Sequence, residues 1–314
     1  MALSKLSGDE QGILFVQLCN VLDPGVAVAL SSVSNELRAA TQPLLPQLRA
    51  DHEAATALCL KVGMRSCKEL REAKEVRWDG KGLTAADLTL LGTLGSVLPA
   101  LETLMVAETS GAAGPDGVQL LAAGLSAGAL PAVTCLAILD MHVGDAGASA
   151  LAAALGQGAL PRLKDLELCW TAIGDAGLVS LAPALRRLPA LEELRLTGNP
   201  FGDEGLAALV APPPAAVAPP PPTGGLKKLK KLWLGNTQIT DAGCAALAAA
   251  LDSGALPALE DLQLGGVPAS AAAIATVYEA RTNLKDGESE HGDESEEDEE
   301  EEGAEGEEED NEGS

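Results

Sequence analysis

Aromatic residues are scarce in this chain of 314 residues. Phenylalanine, tryptophan and tyrosine make up 2% of the sequence, whereas hydrophobic residues as a whole make up 46%. A core with so few large rings must be built from leucine, valine and alanine that pack over short distances. Repeat proteins build such a core, because each unit stacks only on its neighbours. The composition therefore favours a repeat architecture.

Paired cysteines, long apolar runs and a signal peptide are also missing. The six cysteines occur singly, without a C-x-x-C pair, which predicts reduced core or strand thiols in an intracellular protein. No apolar run reaches the roughly 18 residues that a membrane span needs. The first residues, MALSKLSGDE, do not follow the charged-then-apolar pattern of a secretory signal. We therefore expect a soluble protein of the cytoplasm, the nucleus or both.

Signatures of catalysis are absent from the sequence. It contains no nucleophile elbow, P-loop, metal-ligand spacing or dinucleotide fingerprint. The histidines His52, His142 and His291 are far apart, and none belongs to a recognisable Cys/His or His/Asp arrangement. We therefore predict that the protein is not an enzyme and that it needs no cofactor or metal.

The net charge of −25 is concentrated at the C-terminus. Of the 46 acidic residues, 18 lie between Asp286 and Ser314, where Lys and Arg do not occur, which leaves 28 acidic against 21 basic residues. Like charges at this density prevent collapse, so residues 285–314 are predicted to form a disordered acidic tail. The tail is either a solubilising segment or an electrostatic lure for a basic partner. Because a basic stripe is missing, we do not expect nucleic-acid binding.

The sequence does contain an internal repeat. Its key leucines lie 32, 30, 28, 38 and 30 residues apart, at Leu104, Leu136, Leu166, Leu194, Leu232 and Leu262. The long interval contains the proline-rich stretch 211–225, APPPAAVAPPPPTGG, which is typical of an extended polyproline loop. A fixed period of this kind indicates a solenoid.

Each repeat unit combines a strand with a helix, as in LKDLELCWTAIGDAGLVSLAPALRRLPA from Leu163 to Ala190. The alternation in L-x-x-L-x-L predicts a short strand with one buried face. The following stretch, with Leu at i and i+4, predicts a helix. An Asp between the two is expected at the helix N-cap; these residues are Asp145, Asp175, Asp203 and Asp241. Strands need less width than helices, so the stacked units should curve, with a parallel sheet inside.

These motifs resemble the ribonuclease-inhibitor-like class of leucine-rich repeats. The resemblance covers residues 69–284 and implies an α/β solenoid in the shape of a horseshoe. It also implies that the concave sheet binds another protein. Because unrelated binders share this scaffold, the resemblance does not identify the partner.

Residues 1–68 are predicted to form a helical N-terminal segment, in which residues 9–40 resemble an F-box. LDP at residues 22–24 is followed by LSSVSNELR at residues 30–38, in register with the family pattern Leu-Asp-Pro and Leu-Ser-x-Val-Ser-x-x-Trp-Arg. Leu stands here in place of the family's Trp, and the usual Leu-Pro opening is absent. The resemblance implies docking on the Skp1 subunit of a ubiquitin ligase through Leu18, Leu22, Pro24, Leu30, Val33 and Leu37. The alternative is a plain helical cap for the first repeat.

The concave face of the predicted sheet is formed by the x positions of the strands. Trp170 and Trp233 occupy positions that should face solvent, and an exposed Trp beside charged residues is typical of a binding hot spot. The alternative is a Trp that folds over a neighbouring strand for packing. Trp78, at a buried strand position, is expected in the core. Just beyond the strands lie Glu108, Asp140, Trp170, Gly198 and Asn236. The predicted partner-binding residues are Asp165, Glu167, Trp170, Glu193, Arg195, Lys231, Trp233 and Asn236.

These features predict a non-catalytic protein–protein interaction module. The first hypothesis is an F-box-type adaptor that recruits a substrate to a ubiquitin ligase. Leucine-rich repeats followed by an acidic tail also resemble the Ran GTPase-activating proteins, so an activator or binding regulator of a small GTPase is the alternative. A generic leucine-rich repeat scaffold is the second alternative.

Overall fold

The structure, a computed structural model, describes residues 20–33, 38–39, 42–114, 116–125, 129–211 and 226–287. Three helices precede the sheet: α1 (Gly25–Val33), α2 (Leu45–Lys61) and α3 (Cys67–Glu72). The strands are β1 (Glu75–Asp79), β2 (Thr103–Ala107), β3 (Cys135–Leu139), β4 (Asp165–Glu167), β5 (Glu193–Arg195), β6 (Lys231–Trp233), β7 (Asp261–Gln263) and β8 (Lys285–Asp286). The helices between them are α4 (Ala85–Leu94), α5 (Gly117–Gly124), α6 (Gly144–Gly156), α7 (Asp175–Leu185), α8 (Asp203–Val210), α9 (Asp241–Asp252) and α10 (Ala271–Ala280).

The strands form one parallel sheet in sequence order from β1 to β8. Its register pairs the periodic leucines with one another in a single row that runs from Leu104 to Leu262. All six leucines of this row are at most 2% exposed. The predicted α/β solenoid horseshoe is therefore confirmed. The sheet extends to Lys285–Asp286, past the predicted end of the repeats at residue 284.

Leucines and small residues build the core between the sheet and the helices. On α7, Leu178, Leu181 and Leu185 recur on one helix face and are fully buried. Where α4 meets α5, a Cβ on Gly124 would lie 2.8 Å from the backbone of Gly92. Small residues thus let adjacent helices approach closely, which offsets the scarcity of large rings.

The helices α2 and α3 cover the first repeat. Leu58 and Leu70 from these helices belong to the same buried cluster as Trp78 of β1, which is 2% exposed. The assignment of Trp78 to the core is confirmed. Cys59 and Cys67 also lie there, with 4.0 Å between their Sγ atoms, and burial raises the pKa of the Cys59 thiol to about 12. All five cysteines in the described ranges are free.

The predicted N-cap aspartates bond to the next helix in the stack rather than capping their own. Asp175 is the first residue of α7, whose N-cap is Gly174. Its Oδ1 accepts hydrogen bonds from the N–H groups of Gly202 at 2.8 Å and Gly205 at 2.7 Å, where α8 begins. Equivalent bonds join Asp145 to Gly174 and Gly177, Asp203 to Thr240, and Asp241 to Ser270. The N-cap prediction was wrong because it considered a single repeat, whereas the stack places the next helix start within reach.

Polar side chains after the strands hydrogen-bond the turns. Buried Asn199 accepts from the N–H of Ile173 at 2.9 Å and donates to the carbonyls of Leu168 and Leu196. It therefore joins two consecutive repeats. Thr171 and Thr237 donate to the carbonyls of Leu168 and Leu234, respectively.

Candidate functional site

The register of the sheet brings the predicted partner-binding residues onto one face. Asp165, Glu193 and Lys231 pair along one row of β4, β5 and β6. Glu167, Arg195 and Trp233 pair along the next row. Trp170 and Asn236 lie in the turns just beyond β4 and β6. All eight residues are half-buried or exposed, so their side chains remain in contact with solvent.

A pocket of about 400 Å³ opens on this concave face. Five of the predicted residues line it, namely Glu167, Trp170, Arg195, Trp233 and Asn236. The other three, Asp165, Glu193 and Lys231, are not part of its lining. The remaining lining residues occupy concave-face positions of the strands or the turns just beyond them, but they were not among the predicted partner-binding residues; they are Leu139, Asp140, Cys169, Thr197 and Gln263.

Arg195 is the most constrained side chain of the pocket. Its guanidinium forms ion pairs with Glu167 at 3.1 Å and with Glu193 at 3.2 Å. It also stacks over Trp233, 4.3 Å from the ring centroid. Only 19% of the Arg195 side chain is exposed. Because solvent is largely excluded, these contacts hold the guanidinium in one position.

Trp233 packs within the sheet to a greater degree than its sequence position predicts. The ring lies beneath Arg195, and its Nε1 donates a hydrogen bond to Asp261 at 3.3 Å. The residue is therefore half-buried rather than free in solvent. The prediction that it faces solvent holds for only part of the ring, because the long side chain of a neighbouring repeat covers the remainder.

Carboxylates outnumber their basic partners around Asp165. Lys231 pairs with Glu193 at 2.9 Å, whereas Asp165 has no ion pair within the described part of the chain. Burial and the nearby Glu193 carboxylate raise the pKa of Asp165.

Burial likewise raises the thiol pKa of Cys135 and of Cys169 to about 11. These thiols stay protonated at neutral pH, so they are poor nucleophiles.

Trp170 adopts a backbone conformation that is unusual for its residue type. Its φ is +56°, in the left-handed region. Equivalent turns use Asp140, Gly198, Asn236 and Gly266, all with positive φ, and these residue types tolerate that region. Holding a Trp there costs about 1–3 kcal/mol. A strained residue that is also 53% exposed contributes little to the core, which favours a functional role.

Glu108 does not belong to the solvent-facing set. The sequence places it just beyond β2, in the same row as Asp140 and Trp170, but it is only 2% exposed. Its carboxylate accepts hydrogen bonds from the N–H groups of Leu83 at 2.9 Å and Ser110 at 3.1 Å. Glu108 therefore stabilises turns, whereas Asp140 and Trp170 in the same row are exposed.

The F-box-like contact residues are only partly described. Leu18 and Leu37 lie outside the described residues, as do the side chains of Leu30 and Val33 within α1. Pro24 is half-buried immediately before α1. Leu22 is 4% exposed and belongs to the buried cluster of the solenoid. In this arrangement Leu22 packs the cap and is not accessible to a docking subunit.

Two other predicted segments lie largely beyond the part of the chain that the structure describes. Most of the proline-rich stretch, residues 212–225, lies outside the described residues, as does the acidic segment 288–314. Within the ranges that are described, no helix is long and apolar enough to cross a membrane. In the same ranges, no three His, Cys, Asp or Glu side chains are grouped so that they could hold a metal ion.

Family comparison agrees with the repeated geometry of strands, turns and helices. Residues 160–182, 188–210 and 225–248 match the Leucine Rich repeat family. The chain contains leucine-rich repeats. Leucine-rich repeats are typically non-catalytic modules for protein interaction, and no enzyme family is indicated for this chain. None of the curated proteins matches it.

Two solved structures are similar to this leucine-rich repeat chain at low sequence identity. A protein from Bacteroides fragilis, solved by the Northeast Structural Genomics Consortium, is 14% identical. The similarity covers 74% of this chain and 69% of that one, with a TM-score of 0.42. An internalin from Listeria monocytogenes is also 14% identical, over 68% of this chain and 52% of the internalin, with a TM-score of 0.35.

Proposed function

We propose that this protein is a non-catalytic adaptor whose concave sheet holds a protein partner. The observation that supports this proposal is the pocket of about 400 Å³ on the concave face. The exposed Trp170 and Arg195 both line it, and two carboxylates fix the position of Arg195. Trp and Arg are enriched among the residues that dominate protein interfaces. Side chains that are held in place before binding also lose less entropy when a partner arrives.

The concave role is tested by quantitative affinity capture from cell lysate. The full-length chain is compared with Trp170→Asn and with Val179→Asn. Val179 is a matched control because it is 39% exposed and lies on α7, away from the concave sheet. Loss of a hot-spot Trp costs about 2 kcal/mol or more, so a specific partner should be lost from Trp170→Asn and retained by Val179→Asn. Identical capture by all three chains would contradict the proposal.

We further propose that the N-terminal segment attaches this adaptor to a Skp1-like subunit of a ubiquitin ligase. The proposal is supported by Asp23, which is exposed, and Pro24, which is half-buried, immediately before α1. It is also supported by two apolar side chains on that helix that remain in solvent. These are Val26, which is 42% exposed, and Val28, which is 43% exposed. Apolar side chains on a helix surface are available to a partner.

The second proposal is tested by co-purification with Skp1. The double variant Val26→Asp and Val28→Asp should lose Skp1, whereas Val179→Asp should retain it. Point variants are preferable to deletion of residues 1–45, because deletion would also remove the buried Leu22 and Ala27. Failure of the unaltered chain to bind Skp1 would leave a generic scaffold. Stimulated GTP hydrolysis by a Ran-type GTPase would instead support the alternative function predicted from the sequence.

A further inference from the structure

We infer that the concave pocket accepts a basic side chain, an arginine or a lysine, from the bound protein. The cation would lie over the open face of the Trp170 ring and close to the Asp140 carboxylate. This inference rests on the proposed role of the concave face, which it makes more specific. It commits the pocket to a partner with a basic surface segment.

The Trp170 ring forms a flat platform that is supported from below. A Cβ on Gly198 would collide with the six-membered part of the ring, so the indole lies directly on the Gly198 backbone. The opposite side faces the pocket, since Trp170 lines it and is 53% exposed. Tryptophan is the aromatic residue that binds cations best, with Lys or Arg placed over its face.

The charges around this platform favour a cation. Three charged side chains line the pocket, namely Asp140, Glu167 and Arg195. Glu167 is neutralised by Arg195, which also pairs with Glu193. Asp140 is exposed, and its carboxylate has no ion pair or hydrogen bond with any described residue. One negative charge of the pocket lining is therefore available to a partner.

Asp140 and Trp170 are neighbours in the row of turns. The N–H of Asp140 donates to the carbonyl of Cys169 at 3.1 Å, which joins the two turns directly. Both residues have nearly the same left-handed φ, +54° and +56°. This backbone hydrogen bond places the two residues in adjacent turns, and both line the pocket.

The protein already contains a cation held by an aromatic ring and carboxylates, and that cation is its own Arg195. The Arg195 guanidinium stacks over Trp233 at 4.3 Å and is paired with Glu167 and Glu193. Trp170 and Asp140 present the same combination of an aromatic face and a carboxylate without an internal cation. Recognition of a guanidinium by an aromatic face and a carboxylate suits its planar shape and its N–H donors.

Other occupants fit this pocket less well. An acidic segment, including residues 288–314 of the same chain, would meet Asp140 and Glu167 without a free cation in the lining. An apolar side chain would remove Asp140 from water without giving its charge a partner, which costs free energy. A basic side chain can form both a cation–π contact with the Trp170 ring and an ion pair with the Asp140 carboxylate.

The test uses the full-length chain and a phage-displayed library of random peptides. The two variants are Trp170→Asn and Asp140→Asn. Asn suits both positions, because Asn236 occupies the equivalent turn of a later repeat with a φ of +53°. Asp252→Asn is the matched control, since it removes the same charge from an exposed position at the end of α9. Circular dichroism verifies that each variant is folded.

Peptides that need Trp170 for capture should be enriched in arginine or lysine. A synthetic copy of such a peptide should bind Trp170→Asn about tenfold more weakly and Asp140→Asn about threefold more weakly. Binding to Asp252→Asn should not change. Trp170-dependent peptides that are acidic or apolar would overturn the inference while leaving the concave face as a binding surface. Basic peptides that bind every variant equally, held by the acidic residues 288–314, would overturn the inference and contradict the proposed role of Trp170.

Discussion

Glu108 is a buried carboxylate that is stabilised by hydrogen bonds from the backbone. Hydrogen bonds from Ser110 hold the pKa of Glu108 below its ordinary value, with a further contribution from the N–H of Leu83, while burial acts in the opposite direction. The charged form is therefore the one that the fold prefers. Its two oxygens satisfy two turn N–H groups, and the amide oxygen of Asn199 accepts from turn N–H groups later in the array.

We predict that Glu108→Gln destabilises the protein in a pH-dependent way. The variant should lose about 1–3 kcal/mol of unfolding free energy at neutral pH, because a Gln offers one uncharged acceptor oxygen for two N–H groups. The folded pKa of Glu108 lies below its ordinary value of 4.5. Its contribution is therefore fully present above about pH 4.5 and is lost as the pH falls through the folded value.

Urea denaturation over a series of pH values measures this effect. The difference in unfolding free energy between the unaltered chain and Glu108→Gln should become smaller below about pH 4.5. Glu204→Gln, an exposed site on α8, is the control and should change stability by less than about 0.5 kcal/mol. A gap that stays constant at every pH would show that the Glu108 charge is not what stabilises the turns.

The sequence predicted burial correctly where burial depends only on the alternation of apolar and polar residues along a strand. Trp78 and the strand leucines occupy alternate positions of L-x-x-L-x-L, so their burial follows from the pattern alone. The cover over Trp233 comes from Arg195, which is distant in sequence and reaches it only across the stack. The strain at Trp170 did leave a signal, since its equivalents Asp140 and Asn236 are residue types that tolerate positive φ.

At the scale of elements, the helices α7 to α10 each accept a capping side chain from the repeat before them. Asp175 binds the N-cap and third-residue N–H groups of α8, as a capping box does within one helix. A negative charge at a helix start is also stabilising, because the N-terminal end of the helix dipole is positive. The sequence showed an Asp close to each helix start but did not show which helix it serves, because the choice depends on the distance between stacked repeats.

We predict that Asp175→Ala lowers the unfolding free energy by about 1–2 kcal/mol, the usual range for losing a capping side chain. Asp175→Asn should lose less, because the amide oxygen can still accept from Gly202 and Gly205. Asp252→Ala, at the exposed end of α9, controls for removing an acidic side chain. Chemical denaturation compares the four chains. Equal losses for Asp175→Ala and Asp252→Ala would exclude the capping role.

At the scale of the whole molecule, each strand pairs only with the strands of adjacent repeats. The period of the leucines was therefore enough to predict the horseshoe, since every unit buries its strand and helix leucines against its neighbours in the same way. The concave pocket was harder to predict, because Asp140, Trp170, Arg195 and Trp233 come from four separate units. Their combined chemistry depends on the register and on long side chains that cross between strands.

We predict that Leu194→Ala, in the centre of the sheet, uncouples the two ends of the solenoid. Leu194 is fully buried in β5, so the cavity should cost about 2–5 kcal/mol. In a stack that is held together by nearest-neighbour contacts, this loss falls first on the adjoining repeats. Hydrogen exchange followed by mass spectrometry should show reduced protection in β4 to β6 and nearly unchanged protection in β1 and β2. Leu120→Ala, 40% exposed on α5, should leave all strands protected. Equal loss of protection from β1 to β7 in Leu194→Ala would mean that the array unfolds as a single cooperative unit.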